Sequence, residues 1–127
     1  MSDRAAVPSE VASFHEAEQV SYHLVPAEVW ESQMYGETYE PEHFADEGFI
    51  HCTDTIEELV AVGNRYYRSD AREFLVLAVD CDQVTSRIVY EDAARIFPHI
   101  YGPLNLDAVL SVQPVVRAAN GTFLTMG

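Results

Sequence analysis

Two short motifs hold the residue types most suited to chemistry, Gly48-Phe49-Ile50-His51-Cys52-Thr53 and Phe97-Pro98-His99-Ile100-Tyr101-Gly102. In an extended strand alternate side chains share a face, so Phe49, His51 and Thr53 point one way while Ile50 and Cys52 point the other. The same alternation puts His99 beside Tyr101. Each motif therefore offers one imidazole and one hydroxyl on a common surface, flanked by a glycine that lets a ligand or another backbone come close. The bland alternative is that both histidines are half-buried and satisfied by backbone groups. A nucleophilic pair of Cys52 and His51 is disfavoured, because neighbours on a strand face opposite sides and the base does not reach the thiol. Cys52 reads instead as a small core residue. His23, His51, His99 and Glu91 show no spacing typical of zinc or of a facial triad, so no metal is expected.

The elements that must carry these residues are readable from pattern. Val20 to Val25 has the mixed apolar and polar character of a strand, ended by Pro26. Ala27 to Met34 reads as a short helix with Val29, Trp30 and Met34 on one face, Trp30 serving as a core anchor, and Gly36 closing it. Pro41 to Ala45 suggests one more turn, with His43 on the surface. Phe49 to Thr53 is a short strand. Asp54 offers an N-cap oxygen and Glu57 a capping partner, while Ile56, Leu59, Val60, Gly63 and Tyr67 repeat at helical spacing, so a helix is expected from Asp54 to about Arg68. Phe74 to Val79 is an unbroken apolar run suited to a central strand. Ile88 to Glu91 and Val109 to Val116 add strands, the latter with Pro114 demanding an edge or a bulge. Asn120-Gly121 between two apolar stretches predicts a hairpin. Strands without regular βαβ alternation after residue 70 point to a single α+β domain over residues 20–127, its sheet mixed and largely antiparallel, with two or three helices. Residues 1–19 read as a weakly structured N-terminal extension.

Composition narrows the function classes. The chain has 127 residues, enough for one core, and 48% of them are apolar against 22% charged, an ordinary globular balance. Its 21 carboxylates face only 7 arginines and no lysine, for a formal net charge of −14. Such a field repels polyanions and argues against general nucleic-acid binding. A small anionic ligand is still compatible, since one guanidinium grips a phosphate locally. Arg65, Arg68 and Arg72 form the one local cluster, which reads first as partners for surface carboxylates. No apolar run of about 18 residues exists to span a bilayer, and the start lacks a signal-peptide pattern, so no membrane partner and a cytoplasmic location are expected. Two cysteines without metal spacing fit a reducing compartment.

Tyr22-His23-Leu24-Val25-Pro26 followed by Trp30, then GFIHCT, then FPHIYGPLNLDAV from Phe97 to Val109, resembles domain-of-unknown-function family 952 over Tyr22 to about Phe123. Through that family the chain is similar to the ADP-ribosyltransferase-like superfamily, whose split sheet holds NAD in a cleft. The resemblance implies that His51 and Thr53 touch the NAD ribose and nicotinamide. It also implies a stacking tyrosine among Tyr66, Tyr67 and Tyr101, and a third-strand glutamate at Glu91 that stabilises positive charge on the ribose as the glycosidic bond breaks. On this reading His51, His99 and Glu91 are catalytic, His51, Thr53 and Tyr101 bind NAD, and NAD is a substrate. Two rivals stand beside it. The paired His-x-Thr and His-x-Tyr resemble the motifs of two-histidine phosphoesterases, with one imidazole as base and the other as acid. A non-catalytic module that binds a nucleotide-like ligand also fits.

Overall fold

The computed structural model describes residues 19–126, so the expected N-terminal extension lies almost wholly outside the described residues. The chain runs β1 (Val20–Pro26), α1 (Ala27–Glu31), β2 (Thr38–Tyr39), α2 (Phe44–Glu47), β3 (Ile50–His51), α3 (Ile56–Tyr66), β4 (Phe74–Asp80), β5 (Arg87–Tyr90), β6 (Pro98–Tyr101), β7 (Leu104–Asn105), β8 (Val109–Arg117) and β9 (Phe123–Met126). Its strands form a four-stranded sheet in the order β1-β4-β8-β9, a three-stranded sheet β3-β6-β5 and the small pair β2-β7. All named pairs are antiparallel. The α+β reading and its largely antiparallel sheet therefore hold.

β4 is central, as its apolar run requires. It pairs with β1 on one side and β8 on the other, and Leu77 and Val79 are fully buried. These two side chains join Val25, Trp30, Tyr39, Ile50, Cys52, Ile100 and Leu104 in the main core, with Trp30 as the expected anchor. Amphipathic α3 packs against β1 and β9, with Leu59 and Gly63 buried. Gly63 is needed there because a Cβ would stand 2.7 Å from the Phe123 ring.

Local details depart from expectation in three places. α1 stops at Glu31, three residues short of Met34, where the chain enters a turn with Gln33 N–H bonded to the Trp30 carbonyl. The cap of α3 is Thr55, with an extended backbone and a hydroxyl that accepts from the Glu58 N–H, while Asp54, one residue earlier, turns one carboxylate oxygen to the Tyr90 hydroxyl and Gln19. The β8-β9 turn is longer than two residues: Gly121 N–H bonds to the Ala118 carbonyl and Ala118 N–H to the Thr122 carbonyl, closing a loop of Ala119, Asn120 and Gly121. Gly121 takes φ +95°, the left-handed residue that such three-residue hairpins need. Pro114 sits beyond the last described β8-β9 pair, Val115 with Met126, so its missing N–H breaks no described ladder bond to β9.

The two larger sheets meet where β3 changes partner. Ile50 and His51 pair with Ile100 and His99, and two residues further on Thr53 exchanges both backbone bonds with Tyr22 of β1 at 2.8 Å. This single bridge turns the chain from the small sheet into the large one.

Candidate active site

The geometry of the site begins at Gly48. It caps α2 with φ +81°, donating its N–H to the Phe44 carbonyl, and so swings the chain out of the helix into β3. On β3 the alternation puts Ile50 fully inside and His51 outside, with Cys52 inside again at 2% exposure. Burial pushes the Cys52 thiol well above its ordinary range, so it is no nucleophile.

His51 lies directly opposite His99 in the β3-β6 register, and the two ring centroids are 5.2 Å apart. Both expected histidines therefore share one surface. Phe49 stacks flat on His99, at 4.0 Å and 13° between planes, and meets His51 edge-on at 4.8 Å. Each imidazole is backed by its own carboxylate: His51 Nε2 is 3.1 Å from Glu47 Oε1, and His99 Nδ1 is 2.8 Å from Glu91 Oε1. The Tyr101 hydroxyl donates to the same Glu91 oxygen at 2.6 Å. That bond, and then the one from His99, holds the Glu91 carboxyl below its usual range, so it is ionised at neutral pH.

A cleft of about 630 Å³ opens beside these rings, lined by His51, Thr53 and His99 on the sheet side, by Arg65, Tyr66 and Tyr67 from α3, and by Asp92 and Phe97. A smaller space of about 300 Å³ shares His51, Thr53, Tyr66 and Tyr67 and reaches His23 and Tyr39. The cleft thus brings together His51, His99 and Thr53, with Tyr66 and Tyr67 as its candidate stacking rings. Glu91 and Tyr101 are not among its lining residues; Glu91 is bonded to His99, and Tyr101 to Glu91. Thr53 is 4% exposed, because its backbone is tied into the Tyr22 bridge, and so offers the cleft far less surface than His51. Glu47 was legible in principle, four residues before His51. Arg65 and Phe97 stood in the arginine cluster and the second motif without a role in the cleft, and Asp92 carried no local signal.

His23 is buried and plays a different part. Its Nδ1 lies 2.6 Å from the His51 carbonyl, which can only accept, so Nδ1 carries the proton and Nε2 accepts from the Tyr39 hydroxyl at 2.8 Å. Burial lowers its pKa from 6.5 to about 4, leaving it neutral. Among the described residues no group of three or more His, Cys, Asp or Glu side chains is placed to hold a metal ion. The arginine cluster divides: Arg72 pairs with Asp70, Glu42 and Glu28 as expected of a surface arginine, whereas Arg65 lines the cleft. A separate cavity of about 660 Å³, between Arg68, Arg72 and the β8-β9 turn, contains none of the candidate residues.

The fold is similar to that of protein CC0527 from Caulobacter crescentus. Its crystal structure superposes with a TM-score of 0.71 at 21% identity, covering 84% of this chain and 94% of that one. Its solution structure gives 0.64 at 22%, covering 80% and 89%. No curated protein matches the sequence. A family profile described as "Protein of unknown function (DUF952)" matches residues 24–112.

Proposed function

The chain belongs to the DUF952 family, and we propose that its two-histidine cleft binds a small nucleotide-like ligand, NAD foremost, as the donor in glycosyl transfer of the ADP-ribosyltransferase type. The observation that supports this most is the facing of His51 and His99 across one ladder position, beside a cleft rimmed by Tyr66 and Tyr67. A space of about 630 Å³ suits a small ligand. Tyrosine and phenylalanine rings stack a flat heterocycle, the imidazoles and Thr53 meet ribose hydroxyls, and the Arg65 guanidinium suits a phosphate. The overall charge repels polymers of phosphate without barring one such local contact.

Glu91 does not line the cleft and is bonded to His99, so its carboxylate acts on a ligand through that ring. A metal-free phosphoesterase is the second reading, favoured by one feature: each imidazole has its own carboxylate, which orients the ring and favours its protonated form when it takes up a proton. A melting screen with NAD, ADP-ribose and cyclic nucleotides separates the two. Ligand at a hundred times its Kd should add about 2.7 kcal/mol of stability. Stabilisation by NAD with release of nicotinamide supports the first reading, whereas hydrolysis of a cyclic phosphodiester in EDTA supports the second. Binding of NAD without turnover reduces the site to a nucleotide-binding module.

A further inference from the structure

We infer that Glu91 is a positioning residue, which acts on the cleft through His99 and fixes which of its ring nitrogens faces a ligand. Three observations carry this. The Glu91 oxygen already accepts the Tyr101 hydroxyl at 2.6 Å, and an ionised carboxylate has no proton to give. The 2.8 Å contact to His99 therefore requires the ring to donate, so in neutral His99 the proton sits on Nδ1 and Nε2 carries the lone pair. Glu91 fixes the rotation of the ring in its plane, and Phe49, stacked at 4.0 Å, fixes its tilt. His99 lines the cleft and Glu91 does not, so the nitrogen turned from Glu91 is the one offered to the cleft.

This relay narrows the chemistry of whatever meets His99. A lone pair at Nε2 accepts from an O–H or N–H group and is a poor neighbour for a carbonyl or phosphate oxygen. In the glycosyl transfer proposed above, on which this step rests, the acceptor is a hydroxyl- or amine-bearing molecule. As its oxygen or nitrogen bonds to the ribose C1′, the C1′–N bond breaks and its electron pair leaves with nicotinamide. The acceptor's proton passes to His99 Nε2, and the imidazolium formed is held by the Glu91 carboxylate.

The proton position is directly measurable in the full chain labelled with ¹⁵N-histidine, at a pH where His99 is neutral. In the wild type Nδ1 should resonate as a protonated nitrogen and Nε2 as an unprotonated one. In Glu91→Ala the Nδ1 signal should move toward the unprotonated region, with the other histidines unchanged as the check on folding. Tyr101→Phe, which keeps the His99–Glu91 bond, should retain the wild-type arrangement. A wild-type proton on Nε2, or an arrangement indifferent to Glu91→Ala, would overturn the relay. Because no ligand enters this readout, a relay confirmed in a chain that never binds NAD leaves the inference standing and removes the proposed function alone.

Discussion

At the scale of single residues, the strand rule of alternation groups His51 with Thr53 and His99 with Tyr101, but only the β3-β6 register sets the two imidazoles side by side, 5.2 Å apart. Alternation gave no information about depth or about which side chains border the cleft: Thr53 is nearly closed off, and His99 lines the cleft where Glu91 and Tyr101 do not. Depth depends on neighbours distant in sequence. If His51 is a ligand contact, His51→Ala should leave the melting temperature within a few degrees, since its exposed side chain contributes under about 0.5 kcal/mol. Affinity for NAD should fall about tenfold to a hundredfold in titration calorimetry. Cys52→Ala should do the reverse, costing about 1 kcal/mol through a small cavity and leaving affinity unchanged. His23 makes stability depend on pH. Its folded pKa of about 4 is below the unfolded 6.5, so the unfolded chain binds more protons between those values and stability falls as pH drops through the window. The loss is on the order of 3 kcal/mol. Urea unfolding from pH 7 to 4 should show it, and His23→Asn should flatten that part of the curve.

The elements were legible wherever one segment settled its own form. β4 declared itself by an apolar run and α3 by periodicity, but the cap of α3 falls one residue later than expected, on Thr55, while Asp54 turns toward Tyr90 across the fold. The join between the sheets left no trace in the sequence, because the Tyr22–Thr53 bridge is made by backbone alone. Contacts between elements give two further predictions. Gly63→Ala gains about 0.8–1 kcal/mol of helix propensity. The new methyl, however, would stand 2.7 Å from a Phe123 ring that is 1% exposed and held by Phe74 and Arg117. Overpacking of about 1–3 kcal/mol outweighs the gain, so a net loss of about 1 kcal/mol is expected in denaturant titration. Arg117 donates to the carbonyls of Tyr67, Arg68, Arg72 and Gly121, tying the end of α3 to the hairpin turn. Arg117→Ala should cost about 3 kcal/mol. Arg117→Lys should recover little of it, since an ammonium lacks the planar fork.

At the scale of the molecule, the strand order sets a timetable for synthesis. β4 acquires β1 early, but its other edge stays bare until β8 has been made, and β3 and β5 flank a gap that only β6 fills. A fragment ending at residue 95 should accordingly give the amide spectrum of an unfolded chain. On the ribosome, the nascent chain carries Phe74 to Val79 as an apolar strand with one unpaired edge, the kind of segment that joins with its copies. Glu73 before the run and Asp80 and Asp82 after it place negative charge at both ends. Like charges on neighbouring nascent chains oppose stacking of that strand before its proper partner arrives. The acidic residues around β4 thus guard the interval between making the strand and completing its sheet.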